Sequence, residues 1–153
     1  MKYTTKNHFK MMIPARSQNE AFARSAVSAF AAQLDPTVEE LGDIKAAVSE
    51  AVTNCIVHAY ADNIGMIELV ARILQDDSHD SAPTLYIRVK DKGCGIADIE
   101  RAKTPLFTTC AEGERAGLGF AVMESFTDRL QVRSKAGAGT TVTMYKRLET
   151  RSE

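Results

Sequence analysis

The sequence predicts an α+β two-layer sandwich: one mixed, mostly antiparallel sheet with helices on one face. Three observations predict it. Alternating and helix-period segments follow one another as β-α-α-β-β-loop-α-β-β. The strands come mostly as hairpins, not as the βαβ crossovers of a doubly wound parallel sheet. The chain also lacks GxxxxGK[ST] and GxGxxG.

Each element has its own signal. Asn7 to Ile13 alternates His8, Lys10 and Met12 against Phe9, Met11 and Ile13, a strand with one apolar face that Pro14 ends. Ser17-Gln18-Asn19-Glu20 has capping-box form and opens a helix to about Leu34, with Phe22, Ala26, Phe30 and Leu34 as its apolar line. Asp35-Pro36 stops it. Thr37-x-x-Glu40 is a second capping box, opening a helix from about Val38 to Tyr60. Leu41, Ile44, Val48, Val52, Cys55 and Ile56 form its apolar stripe, and Glu50, Asn54 and His58 line up on another stripe.

Met66 to Ile73 and Thr84 to Asp91, rich in β-branched and aromatic residues, read as paired strands. Leu74 to Pro83 between them is a long acidic hairpin loop. His79 stands there among Asp76, Asp77 and Asp80, but the spacing matches no standard metal-ligand set. Asp91-Lys92-Gly93-Cys94-Gly95 is a glycine-rich turn, and Ala97 to Gly113 has no clear period. Gly117-Leu118-Gly119 opens a helix carrying Val122, Met123 and Phe126. Leu130 to Lys135 and Thr140 to Arg147 are strands joined by the hairpin turn Ala136 to Gly139. The expected organisation is one domain over 1–148 and a frayed tail over 149–153.

Composition narrows the function. The chain has 153 residues, 44% hydrophobic and 25% charged, an ordinary globular mix. Its net charge of -1 offers no bulk positive field, which argues against direct nucleic-acid binding. No apolar run approaches a membrane span and no signal-peptide core opens the chain, so a cytoplasmic location without membrane contact is expected. Cys55, Cys94 and Cys110 form no CxxC pair and read as free thiols, Cys55 in the core.

The Glu50 stripe, the Asp91 turn and the Gly117 junction each have a structural explanation alone: a wet helix face, a tight turn, a loop-to-helix joint. Together they supply the parts of a nucleotide site with phosphoryl transfer. A glycine-flanked helix N-terminus presents free N–H groups and a positive dipole end to phosphate. A carboxylate at a strand end accepts from a base amine, and glycines let a flat ring approach. An Asn oxygen suits Mg²⁺, and a Glu one turn away suits a general base.

Glu50-x-x-x-Asn54-x-x-x-His58, Asp91-x-Gly93-x-Gly95, Gly117-x-Gly119 and Gly139-Thr140-Thr141, in that order, resemble the box set of the GHKL ATPases, a superfamily that includes gyrase B, Hsp90, histidine kinases and MutL. Ser17-Gln18-Asn19-Glu20, Phe22-Ala23-Arg24, Gln33-Leu34-Asp35-Pro36-Thr37, Val48 to Asn54 and Pro105-Leu106-Phe107-Thr108-Thr109 resemble its sporulation anti-sigma kinase branch, over nearly the whole chain. The resemblance implies the Bergerat type of sandwich. It also implies a homodimeric, ATP- and Mg²⁺-dependent serine kinase. Such a protein holds the sporulation sigma-F factor inactive and phosphorylates its anti-anti-sigma antagonist.

By position, the resemblance makes Glu50 the catalytic base and Asn54 the Mg²⁺ ligand. Asp91 becomes the adenine acceptor, with Gly93 and Gly95 shaping its pocket. Thr108, Thr109 and Arg115 fall in the ATP lid. Gly117, Leu118 and Gly119 face the phosphates, Thr140 lies near the adenine, and Arg24 meets protein partners. Ala59 stands where the family commonly has glycine. His58 is expected to make a structural hydrogen bond at the helix end. Three alternatives share much of this pattern: a general-stress anti-sigma kinase with another sigma partner, a sensor histidine kinase domain, and a nucleotide-dependent binding protein without catalysis. No helical hairpin with a phosphoacceptor His fits upstream of the second.

Overall fold

The computed structural model describes residues 2–60, 63–78, 81–96 and 119–149. In chain order these form β1 (Tyr3–Pro14), α1 (Gln18–Ala31) and a short 3-10 turn (Ala32–Leu34). Then come α2 (Val38–Asn54), a wide turn (Cys55–Ala59), β2 (Met66–Asp76), β3 (Thr84–Lys90), α3 (Gly119–Phe126), β4 (Arg129–Lys135) and β5 (Gly139–Arg147). The strands form one sheet in the order β1-β2-β3-β5-β4, each described pairing antiparallel. The expected sandwich is therefore present.

Alternation gives the sheet one oily face. The row Met11, Leu69, Val89, Val142, Val132 crosses all five strands in register, as does Phe9, Ala71, Ile87, Met144, Leu130. Ile44, Val48 and Val52 of α2, Val27 and Phe30 of α1, and Phe120 and Met123 of α3 share one buried cluster with that face. On the opposite face His8, Arg72, Tyr86, Tyr145 and Arg129 form a row. There the Tyr86 and Tyr145 rings meet edge-on, and the Arg72 and Arg129 guanidinium groups lie over them.

Sequence reasoning misplaced four local features. The apolar line of α1 is turned by one residue: Ala23, Val27, Phe30 and Ala31 are buried, whereas Phe22 is 56% exposed. Small alanines let α1 lie close to its neighbours, so Phe22 is not needed inside. Ser17 makes no side-chain cap: its backbone is already helical (φ -58°, ψ -32°) and not extended as a capping residue's is, and Glu20 instead accepts a hydrogen bond from Ser49 Oγ of α2. The second helix does not run regularly to Tyr60. Its last turn widens, with the Tyr60 N–H donating to Cys55 O five residues back (3.2 Å). Tertiary donors compete there: Cys94 N–H takes the Ala59 carbonyl at 3.2 Å. The hairpin loop is also shorter than expected, since β2 continues to Asp76.

The Thr37 box forms as predicted. Thr37 Oγ1 accepts from Glu40 N–H at 3.0 Å, and Glu40 Oε1 accepts from Thr37 N–H at 2.9 Å. Glu40 Oε2 also accepts from Glu149 N–H at 2.9 Å, and Leu148 is fully buried, so the chain is anchored through Glu149. Burial pushes the Glu40 carboxyl up, but the backbone donors of Thr37 and Glu149, with Lys146 nearby, bring it below its usual value. A carboxyl lowered in the folded state stabilises above its unfolded pKa, and that share is lost as pH falls through the folded value. Thr37→Ala should cost about 1 kcal/mol, or about 2–4 °C in Tm at neutral pH. Glu40→Gln should flatten the acid limb of the Tm–pH curve. Melts of both variants from pH 7 to 3 check this; an unchanged acid limb would exclude Glu40.

Candidate functional site

The site lies where α2, the strand ends and the start of α3 meet. Glu50 and Asn54, one turn apart on α2, both lie against Gly119 of α3. A Cβ on Gly119 would stand 3.1 Å from Asn54 Oδ1 and 3.2 Å from Glu50 Oε2. A carboxylate and an amide oxygen of α2 thus meet at Gly119 of α3.

Asp91 follows β3 and is only 6% exposed. Its backbone continues the β3–β5 pairing, donating to Thr140 O at 2.9 Å. Its Oδ1 accepts from Gly93 N–H at 2.9 Å and from Thr140 N–H at 3.2 Å. Its Oδ2 faces the Cys55 thiol at 3.6 Å. The turn after it demands glycine twice. A Cβ on Gly93 would fall 2.3 Å from Ala59 O. Gly95 has φ +74° and lies against Lys135 O, where a Cβ would stand 2.1 Å away. Ala59 is accommodated there with its carbonyl accepting from Cys94. Thr140 is buried, and its hydroxyl meets Ser134 Oγ at 2.8 Å.

A cleft of about 330 Å³ opens beside this turn, lined by His58, Ala59, Tyr60, Asn63, Lys92, Gly93 and Cys94. His58 makes a structural hydrogen bond at the helix end through its backbone oxygen, which accepts from the Cys94 thiol at 3.4 Å. Its Nδ1 is buried with no partner among the described residues, and burial lowers its pKa, favouring the neutral ring.

Arg24 lies apart from this centre, on α1. Its Nη1 is 3.5 Å from Glu20 Oε1 and donates to Ser49 Oγ at 3.5 Å. The cluster therefore ties α1 to the residue before Glu50. Thr108, Thr109, Arg115, Gly117 and Leu118 lie outside the described residues, as does Cys110.

Of the residues singled out in the sequence, Glu50 and Asn54 lie against Gly119, and Asp91 binds the backbone of Gly93 and Thr140; Cys55, next to Asn54 in the chain, touches Asp91. Sequence reasoning singled out none of the following contacts. It missed Tyr60, whose hydroxyl accepts from Lys92 N–H at 2.6 Å and donates to Met66 O at 2.9 Å. It also missed Ser134, which accepts from Ile96 N–H at 2.7 Å. An aromatic after a helix and a serine in a strand carry no signal of such roles.

A model of the histidine kinase-like ATPase domain matches residues 13–146. An anti-sigma F factor of Caldanaerobacter subterraneus is 54% identical over 140 residues, covering 92% of this chain and 93% of the relative. One from Pasteuria penetrans is 50% identical, covering 94% and 93%. Among solved structures, the RsbU and RsbW domains of a Mycobacterium tuberculosis protein match with TM-score 0.67 at 20% identity, over 96% of this chain and 34% of that one. A mycobacterial sensor histidine kinase, MprB, matches at TM-score 0.51 and 14% identity, over 94% of this chain and 100% of that one. At these identities the two structures show the fold alone.

Proposed function

The chain belongs to the histidine kinase-like ATPase family, on its anti-sigma F factor branch, and from that premise we propose that it is an anti-sigma factor and an ATP-dependent protein-serine kinase. It holds the sporulation sigma-F factor and phosphorylates an anti-anti-sigma antagonist on serine, as a homodimer. The observation that carries this reading is the convergence of Glu50 and Asn54 on Gly119 of α3, the last glycine of the Gly117-Leu118-Gly119 segment. A helix N-terminus favours a phosphate, and a carboxylate beside it is placed to take a proton from an attacking hydroxyl.

The residues fit the two bound groups. Mg²⁺ is commonly held by one or two protein oxygens, with substrate phosphates and waters completing its shell. Asn54 Oδ1 is a hard, neutral oxygen beside the phosphate-facing backbone, and glycine at 119 leaves room in front of it. Bound Mg²⁺ supplies charge neutralisation at the phosphates. The buried Asp91 carboxylate is the acceptor for the adenine amine, with Gly93, Gly95 and Thr140 around it. The resemblance adds Thr108, Thr109, Arg115, Gly117 and Leu118, all outside the described residues, as further nucleotide contacts.

The test uses purified chain with sigma-F or with the anti-anti-sigma protein, in Mg-ATP and in Mg-ADP. Expected are sigma-F retention with ATP, antagonist retention with ADP, and phosphoserine on the antagonist by mass spectrometry. Binding without phosphoserine would leave a nucleotide-dependent binding protein. Retention of a stress-type sigma factor instead would move the chain to that branch. Arg24 adds a check on the partner face. Arg24→Ala should weaken both protein partners by about 1–2 kcal/mol, the scale of an interfacial arginine, and leave ATP affinity unchanged. Unaltered retention of both partners would remove α1 from the interface.

A further inference from the structure

The donors around Asp91 are unevenly shared. Oδ1 accepts two backbone N–H groups, from Gly93 and Thr140. A carboxylate oxygen has about two lone-pair sites, so Oδ1 is filled. Among the described residues, Oδ2 has one donor, the Cys55 thiol at 3.6 Å. The same thiol lies 3.5 Å from Ala51 O, a neutral acceptor and the weaker of the two. Cys55 is only 3% exposed.

We propose that Cys55 is a specificity-determining residue of the purine pocket: its S–H occupies one lone pair of Asp91 Oδ2 and leaves the other for a single exocyclic amine. This deepens the reading of Asp91 as the adenine acceptor and rests on it. With the pocket empty, the thiol keeps a buried carboxylate oxygen satisfied, which would otherwise lose a partner. With adenine bound, Oδ2 divides its charge between S–H and the amine, so the amine bond is weaker than it would be alone. A thiol, as a weak donor, takes the smaller share. It also stays a donor through the neutral range, because burial and the Asp91 charge push its pKa up.

The consequence is read in one ratio: the Kd of purine riboside triphosphate, which carries hydrogen at position 6, over the Kd of ATP. Calorimetry with Mg²⁺ on the full chain gives both. The two nucleotides share every other contact, so a packing defect cancels. Cys55→Ala should raise the ratio about fivefold, the scale of one hydrogen bond. Cys55→Ser, whose hydroxyl is the stronger donor, should lower it below wild type.

An unchanged ratio in Cys55→Ala, while Asp91→Asn still collapses it, overturns the role of Cys55 and leaves the adenine reading standing. A ratio that Asp91→Asn does not move overturns the adenine reading and this proposal with it. Should Cys55→Ala not fold, the serine variant decides, and an equal or higher ratio there counts against the thiol.

Discussion

Glu50→Gln should lose phosphotransfer by about 10²–10⁴-fold and keep both ATP and sigma-F binding. The amide is the same size as the carboxylate, so it fits the same space beside Gly119 and the packing of α2 on α3 is preserved. What disappears is the ability to take a proton. The serine hydroxyl of the antagonist would then have to attack the γ-phosphate without a base beside it. Phosphoryl transfer draws most of its rate from positioning and charge neutralisation, which this variant retains through Asn54 and the α3 N-terminus. The loss is therefore one of turnover and not of affinity. Single-turnover transfer from labelled ATP to the antagonist, beside a calorimetric ATP titration, separates the two. Transfer at the wild-type rate would take Glu50 out of the role of base. A parallel fall in ATP affinity would make it a binding residue instead.

The sequence made this site legible because its parts are punctuated. Glu50 and Asn54 sit one helical turn apart on a helix opened by a capping box that forms as written. Asp91 ends a β-branched strand and is followed by glycines that close approach to Ala59 and a left-handed φ both require. Period and turn chemistry are local rules, and they placed the strands to within a few residues. What stayed hidden depends on partners distant in sequence. Glu20 forsakes its cap for Ser49, 29 positions on. Phe22 faces out because Ala23 and Val27 allow the helices to approach more closely than its i, i+4 line suggests. Cys55 reads as an ordinary core residue, and its meeting with Asp91 spans 36 positions. No window on the sequence contains both ends of such contacts.

Asp91→Asn should weaken ATP binding by about 1–3 kcal/mol, roughly 5- to 150-fold, with little loss of fold stability. The amide oxygen can take the place of Oδ1 and keep the N–H groups of Gly93 and Thr140. The amide nitrogen then stands where Oδ2 was. It points a donor at the adenine amine, itself a donor, and at Cys55, whose thiol also donates. A buried acceptor becomes a buried clash of like groups. The same replacement should favour a base with a carbonyl at position 6, so inosine triphosphate should gain on ATP. That reversal separates a lost acceptor from general damage to the pocket, which would weaken both nucleotides alike. Calorimetric titrations with ATP and inosine triphosphate, beside a thermal melt, decide it. ATP binding equal to wild type would show that the base does not meet Asp91. Equal weakening of both nucleotides would show that Asp91 shapes the turn and leaves the reading of position 6 to another group.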